Sequence, residues 1–175
     1  LKADPKSAIA KAAEHIRKNP KKRFDLVVFD FPGHAGTSDL LELSLEMDYI
    51  LSPIEADVQS MVSCLAYAKT MQDLGVSMTG ARIKDVMLLW NKVDRRVKST
   101  LIEKYSEYIR NEGYTLFDEH VYAAHRFCHE LEQYGFRGAF RSTYLAPGKA
   151  LRAGTGLDEL IDNLLTHIRL KKEPG

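Results

Sequence analysis

The sequence FDLVVFD at residues 24–30 places four consecutive apolar residues between two aspartates. A short apolar run with polar residues at both ends is typical of a strand that is buried on both faces of a parallel sheet. Pro32 and Gly33 follow the run and predict a loop immediately after it. The predicted strand therefore ends at the carboxylate of Asp30, directly ahead of a turn.

Further apolar runs alternate with helical patterns along the rest of the chain. The predicted strands cover residues 49–51, 86–90 and 114–117, and the predicted helices cover residues 8–16, 39–45, 57–75, 101–113 and 155–168. Alternating strands and helices predict one α/β domain over residues 1–175, with a mainly parallel sheet. Ligands of such sheets bind beyond the carboxyl ends of the strands, so we expect functional loops after Asp30, Pro53 and Trp90.

Three of the predicted helices have capping signals at their first turn. The capping residues are Asp4 ahead of Pro5, Asp39 with Glu42, and Thr155 with Asp158. Each acidic or hydroxyl side chain can accept a hydrogen bond from a backbone N–H that the helix leaves unpaired. We expect the last of these helices to pack against the sheet, because acidic residues line its polar face and would be repelled by anionic lipid.

Composition and charge narrow the class of protein. The 25 Lys and Arg residues and 24 Asp and Glu residues give a net charge of +1, which argues against a dedicated nucleic-acid coat protein. The two cysteines, Cys64 and Cys128, make no disulfide framework, and a cytoplasmic chain is expected. No apolar run approaches the roughly 20 residues that span a bilayer, so no membrane partner is expected.

Asp30 is the first candidate for chemistry. A carboxylate at the carboxyl end of a buried strand can hold Mg²⁺, usually through water, while the residues that follow sense a terminal phosphate. Pro32 and Gly33 directly follow Asp30 and could contact that phosphate, since a glycine lets backbone N–H groups approach it closely. A solvated aspartate followed by an ordinary Pro-Gly turn is the structural alternative.

Asn91-Lys92-Val93-Asp94 follows the predicted strand 86–90 and is the second candidate. The amide of Asn91 and the carboxylate of Asp94 offer the directional donors and acceptors that recognition of a base edge requires. A charged turn from strand to helix is the alternative. Two such loops, each after a strand and in this order, favour nucleotide binding over the structural alternatives.

The segments FDLVVFDFPG at 24–33 and DYILSP at 48–53 resemble the Walker B strand and the following strand of ParA/MinD-type P-loop ATPases. Residues 141–143 and 154–157 are similar to the end of one subgroup, the TraA-type conjugal transfer proteins. The resemblance implies a doubly wound sheet, ATP and Mg²⁺ as cofactors, and an ATP-dependent homodimer of the full-length protein. It also implies a role in DNA partition or conjugative transfer, with DNA and a partner transfer or partition protein as binding partners.

The same resemblance implies roles for individual residues. Asp30 would take the catalytic Walker B role and hold Mg²⁺ through water, and Pro32 and Gly33 would form the switch that follows it. Asn91 would lie near the adenine. Asp94 belongs to a sequence more similar to the guanine-binding motif of GTPases, which leaves ATP and GTP both open.

The sequence departs from that family at its signature. Residues 1–175 contain no G-x-x-x-x-G-K-S/T loop, whose backbone N–H groups and lysine would hold the phosphates. We therefore expect a P-loop NTPase-like fold without its first βαβ unit, and a chain that is inactive alone as part of a longer ATPase. A degenerate, non-hydrolysing module that binds DNA or a transfer partner is the alternative.

Basic residues and histidines supply the remaining candidates. Two basic patches are candidate DNA contacts, one with Lys21, Lys22 and Arg23 and one with Arg95 and Arg96, and ordinary solvated faces are the alternative. His125 and His129 have a spacing that can ligate zinc on a helix, but four ligands are needed and packed or surface histidines are favoured.

Overall fold

The computed structural model describes residues 1–32, 37–96, 100–124 and 148–170. A 3₁₀ turn at Pro5–Ser7 precedes the regular elements, which are α1 (Ala8–Lys18), α2 (Ser38–Leu45), β1 (Tyr49–Ile54), α3 (Val58–Ser77), β2 (Asp85–Trp90), α4 (Thr100–Asn111), β3 (Thr115–Leu116), α5 (Lys149–Arg152) and α6 (Leu157–His167). The described part of the chain is therefore an alternation of helices and strands.

The three strands form one parallel sheet in the order β1-β2-β3, flanked by helices. Met87 pairs with Thr115 and Leu88 with Leu116. The prediction of an α/β fold with a parallel sheet is confirmed at this level. The strands at 49–54, 85–90 and 115–116 lie where apolar runs predicted them, with shifts of a few residues at their ends.

The chain divides into two compact units, residues 1–50 with 66–85 and residues 51–65 with 86–175. In the second unit, the side chains of Val86–Trp90 are at most 4% exposed. Ile102 and Ile109 of α4 and Leu160 of α6 are also buried. The second unit therefore has its core around the central strand of the sheet.

A hydrogen bond between two buried side chains lies within that core. Trp90 is fully buried, and its indole Nε1–H donates to the hydroxyl Oγ of Ser106 at 2.8 Å. A buried indole N–H needs such a partner, because leaving it unpaired away from water costs free energy. Ser106 on α4 thus fixes the ring of Trp90 at the last residue of β2.

In the first unit, α2 buries Leu40, Leu43 and Leu45. The fully buried Ser44 donates its hydroxyl to the carbonyl of Leu40 at 2.7 Å and shares a 2.8 Å hydrogen bond with the hydroxyl of Tyr67. Burial raises the pKa of Tyr67 above its ordinary value, although the hydrogen bond with Ser44 opposes that shift. This polar pair satisfies hydroxyls that the apolar surroundings would otherwise leave unpaired.

The prediction of a buried strand at residues 24–30 is wrong in this structure. The side chains of Val28 and Leu26 are 79% and 47% exposed, and no strand is formed between them and Asp30. Within the described ranges, residues 24–32 make no backbone–backbone hydrogen bond to one another or to other residues. A strand exists only through pairing with a neighbour, so this apolar run remains irregular.

Two predicted capping boxes are also wrong, whereas the cap at Asp4 is confirmed. Asp4 accepts a hydrogen bond from the backbone N–H of Ser7 at 3.0 Å, and hydrogen bonds from Ser7 lower its pKa. The N-cap of α2 is Thr37, and Asp39 instead forms an ion pair with Lys6 at 3.4 Å.

The other box fails because α6 begins after a glycine. Its N-cap is Gly156 with a φ of 78°, and Asp158 accepts a hydrogen bond from Arg152 Nε at 2.6 Å. The hydroxyl of Thr155 donates to the carbonyl of Arg152 at 2.6 Å and accepts from the backbone N–H of Leu157 at 3.4 Å. Its predicted hydrogen bond to the start of the last helix is therefore present, although the box with Asp158 is not.

Replacement of Ser106 by Ala should lower the free energy of unfolding by about 1–3 kcal/mol, since it leaves the Trp90 N–H without its partner. Urea unfolding followed by the fluorescence of Trp90, which is the one tryptophan of the chain, measures this. Ser77→Ala is the matched control, because Ser77 is exposed and bonds only within its own helix at 2.7 Å. It should change stability by less than about 0.5 kcal/mol. Equal effects of the two substitutions would contradict the structural role of Ser106.

Candidate functional site

Three loops follow the carboxyl ends of the strands and all belong to the second unit. They cover residues 55–57 after β1, 91–96 after β2 and 117–122 after β3. We call them the carboxyl-edge loops. This edge of a parallel sheet is where ligands bind in open α/β folds, so the polar side chains of these loops are the first candidates.

Lys92 lies at the centre of the carboxyl-edge loops in a left-handed backbone conformation, with a φ of 53°. Its Nζ lies 2.5 Å from Oε1 of Glu55, which joins the loop after β2 to the loop after β1. The preceding residue, Asn91, donates its backbone N–H to the carbonyl of Ile54 at 2.8 Å. A left-handed lysine costs roughly 1–2 kcal/mol, so the neighbouring contacts hold this turn against its local preference.

The carboxylate of Asp94 is occupied by Arg96. Oδ1 accepts from the backbone N–H and from Nε of Arg96, both at 2.9 Å, and Oδ2 accepts from Nη2 at 2.6 Å. Hydrogen bonding and charge from Asp94 raise the pKa of Arg96. The guanidinium of Arg95 points elsewhere and stacks 3.8 Å from the ring centroid of Tyr122.

The third carboxyl-edge loop is fixed by backbone hydrogen bonds. Val121 donates to the carbonyl of Trp90 at 2.8 Å and accepts from Val93 at 3.0 Å, while Tyr122 donates to Thr155 at 2.9 Å. These bonds tie the loop after β3 both to the loop after β2 and to the residues before α6. Tyr122 is thereby held in place beneath the guanidinium of Arg95.

Gly156, the N-cap residue of α6, lies against the backbone of His120 in the loop after β3. Its φ is 78°, and a Cβ at this position would lie 2.0 Å from the carbonyl oxygen of His120. No other residue has room there. Burial, followed by the charge of Arg110, lowers the pKa of the half-buried His120, so its neutral form is favoured.

The residues predicted for the site fall into different parts of the molecule. Asn91 and Asp94 lie together on one carboxyl-edge loop of the second unit, and both are half-buried. Asp30 and Pro32 are exposed in the first unit, and the turn predicted at Gly33 lies outside the described residues. The predicted zinc spacing at His125 and His129 also lies outside them.

The candidate DNA contacts differ in their partners. Lys21 and Lys22 are exposed, and Arg23 forms an ion pair with Asp25 at 2.8 Å. Arg95 and Arg96 are exposed as well, but they are engaged by Tyr122 and Asp94 as described above.

Sequence patterns did not predict a site role for Glu55, Tyr122 or Gly156. Glu55 follows a predicted strand and could have been found by applying the carboxyl-edge rule to that loop. Gly156 lies within the segment 154–157 that carried the subgroup resemblance, but neither it nor Tyr122 was predicted to contact another loop, because that depends on which loops lie side by side.

No cluster of metal-ligating side chains is present in the described ranges. No group of three or more His, Cys, Asp or Glu side chains converges there. No helix in the same ranges is long and apolar enough to cross a membrane. Comparisons with protein-family models, with curated proteins and with solved structures gave no match.

Lys92→Gly should be more stable than Lys92→Ala by about 1 kcal/mol, because both lose the contact with Glu55 but only glycine adopts a positive φ without strain. Chemical denaturation of the two variants measures the difference. Lys84 provides the control, since it is also exposed and ion-paired but its φ is not positive. There the glycine variant should be no more stable than the alanine variant. The same order at both positions would contradict a strained turn at Lys92.

Gly156→Ala should destabilise the protein by about 3 kcal/mol or more, because the added methyl meets the carbonyl of His120 as well as an unfavourable φ. Gly154→Ala separates the two causes, since Gly154 has a similar φ of 70° but open space around its missing Cβ. That variant should lose only about 1 kcal/mol. Urea unfolding of both variants checks this, and equal losses would show that the clash is absent.

Proposed function

We propose that this chain is part of a ParA/MinD-like P-loop ATPase that acts in DNA partition or in the conjugative transfer of a mobile element. The observation that supports this most is the loop Asn91-Lys92-Val93-Asp94, which follows the buried central strand and contains the left-handed residue Lys92. Strained backbone of this kind is concentrated at ligand-binding sites.

The chemistry of the loop suits the base of a nucleotide. The amide of Asn91 provides both a donor and an acceptor, which matches the edge of adenine. The backbone N–H of Asn91 ties the loop to Ile54 of β1, and the exposed ion pair between Lys92 and Glu55 adds a second contact between the two loops. We therefore assign the base end of an ATP site to the carboxyl-edge loops of the second unit.

The carboxyl-edge loops do not provide the groups that would bind the phosphates of ATP. The sequence contains no G-x-x-x-x-G-K-S/T motif, and the proposed Mg²⁺ residue Asp30 lies in the unpaired segment 24–32. One carboxylate holds Mg²⁺ only together with phosphate oxygens and water. The proposal therefore includes weak ATP binding and no hydrolysis by residues 1–175 alone, and an ATP-dependent homodimer only in the full-length protein.

DNA and a partition or transfer protein are the partners that the proposal includes, in a cytoplasmic setting. Lys21 and Lys22 are exposed cations that could meet DNA phosphates without losing a described ion pair. Such contacts release counterions, so DNA affinity should depend steeply on salt.

A non-hydrolysing binding module is the second candidate function. The exposed position of Asp30, away from any group of three metal-ligating side chains among the described residues, favours it. In this alternative the fold and the loop at Asn91 are kept for recognition of a ligand, and no phosphate is transferred.

Phosphate release distinguishes the two. Purified residues 1–175 with ATP and Mg²⁺ should release no phosphate above background, because the lysine that stabilises transferred charge is missing from them. The protein from the complete reading frame should release phosphate, and Asp30→Ala should abolish that activity. Asp25→Ala is the matched control, since it removes a carboxylate from the same segment that is paired with Arg23.

Two outcomes would contradict the ATPase proposal. The first is steady phosphate release from residues 1–175 that Asp30→Ala abolishes, which would show that no separate phosphate loop is needed. The second is a complete reading frame without the G-x-x-x-x-G-K-S/T motif, which would decide for the binding module.

A further inference from the structure

Positive charge is concentrated at the beginning of the chain. Residues 1–23 contain eight Lys or Arg and two Asp or Glu, a net charge of +6, whereas residues 24–175 have a net charge of −5. Three of the eight cations form ion pairs, with Asp39, Glu14 and Asp25. The other five are exposed and have no ion pair with a described residue; they are Lys2, Lys11, Arg17, Lys21 and Lys22.

The helix within this basic segment has an apolar stripe at the protein surface. α1 contains no buried residue. Ile9, Ala13 and Ile16 are spaced by four and three residues, which places them on one face of the helix, and all three are exposed. The side chains of Ile9 and Ile16 are 40% and 39% exposed. A surface helix normally directs its apolar stripe to the core, so a stripe that stays exposed fits a partner with apolar surface of its own.

Exposed apolar side chains continue directly after the basic segment. The ring of Phe24 lies 5.9 Å from the ring of His15 on α1, edge to face. Leu26 and Val28 follow, and their side chains are 47% and 79% exposed. The first unit therefore presents apolar and cationic side chains in one stretch of chain.

We propose that α1, with the cations around it, is an interfacial helix that binds the surface of a membrane containing anionic lipid. Its cations meet the lipid headgroups, and its apolar stripe enters the boundary between headgroups and acyl chains. A helix that lies in the plane of the interface needs no run of about 20 apolar residues, which only a spanning segment requires. This binding goes beyond the proposed function and does not depend on the nucleotide site.

The apolar stripe favours a membrane over DNA as the anionic partner. Both attract exposed cations, and Lys21 and Lys22 are candidate DNA contacts for that reason. A DNA backbone is contacted through its phosphates and sugars, so an isoleucine on the helix gains little there. A membrane interface buries the isoleucine and also attracts the cations. The last helix, α6, is amphipathic too, but its first turn contains Asp158 and Glu159, which anionic lipid would repel.

Flotation of residues 1–175 with lipid vesicles tests the inference. Vesicles of phosphatidylcholine with about 30% phosphatidylserine should bind the protein at least about tenfold more tightly than phosphatidylcholine alone, and added salt should weaken this binding. Lys21→Ala with Lys22→Ala should lower the affinity for the anionic vesicles about 25-fold, since one cation near such a surface contributes about fivefold. Lys104→Ala is the matched control, because Lys104 is also exposed without a described ion pair but lies on α4. It should change the affinity less than about twofold.

Ile16→Ser separates a membrane from DNA. It should lower the affinity for the anionic vesicles about fivefold, because less apolar area is buried, and leave the affinity for duplex DNA unchanged. Val76→Ser is the matched control, since Val76 is 90% exposed on another helix, α3. Ala13→Leu, which enlarges the stripe, should raise vesicle affinity about fivefold and serves as the test if the serine variant does not fold. Far-UV circular dichroism checks the folding of each variant.

No binding to the anionic vesicles at low salt would overturn the inference and leave the proposed nucleotide site unaffected. Vesicle affinities that are unchanged in folded Ile16→Ser and in Ala13→Leu would also overturn it. The cations alone would then account for the binding, as they would for DNA or for an acidic protein.

Discussion

Burial of the central strand β2 on both faces is the constraint on which the second unit depends. Leu88 and Trp90 are fully buried, and the backbone of this strand is bonded outward in both directions. Phe117 donates to the carbonyl of Leu88 at 3.0 Å, and Asn91 donates to that of Ile54 at 2.8 Å. Since paired backbone and apolar side chains fix the strand, the residues that follow it leave the sheet at a defined point.

Residues 24–30 and 86–90 show why pattern alone predicts only part of this fold. Both are short apolar runs of β-branched, aromatic and aliphatic residues, and both predict a buried strand. Only 86–90 has strands on either side of it, whereas 24–30 has no backbone partner within the described residues. A local sequence pattern indicates whether a segment prefers to be buried. Whether it pairs with another strand depends on residues distant in sequence, which the local pattern does not include.

The candidate site divides in the same way. The position of Asn91 and Asp94 follows from a local signal, a polar loop at the end of a buried run, and both lie in the loop after β2. The contributions of Glu55 and Tyr122 follow only from the order β1-β2-β3 and from the bonds between loops. The predicted capping role of Asp158 is absent for a similar reason, since Asp158 pairs with Arg152, which lies outside its own helix.

Charge pairing at the carboxyl edge bears on what this surface can bind. Lys92 and Arg96 each have a carboxylate within ion-pair distance, Glu55 and Asp94, and Arg95 lies flat on an aromatic ring. A DNA phosphate that approached them would have to displace a carboxylate in two of three cases. Affinity for DNA phosphates comes from unpaired Lys and Arg side chains, which displace the counterions condensed on DNA. A cation already neutralised by a carboxylate of the protein contributes less. These existing partners therefore argue against DNA contact at Arg95 and Arg96.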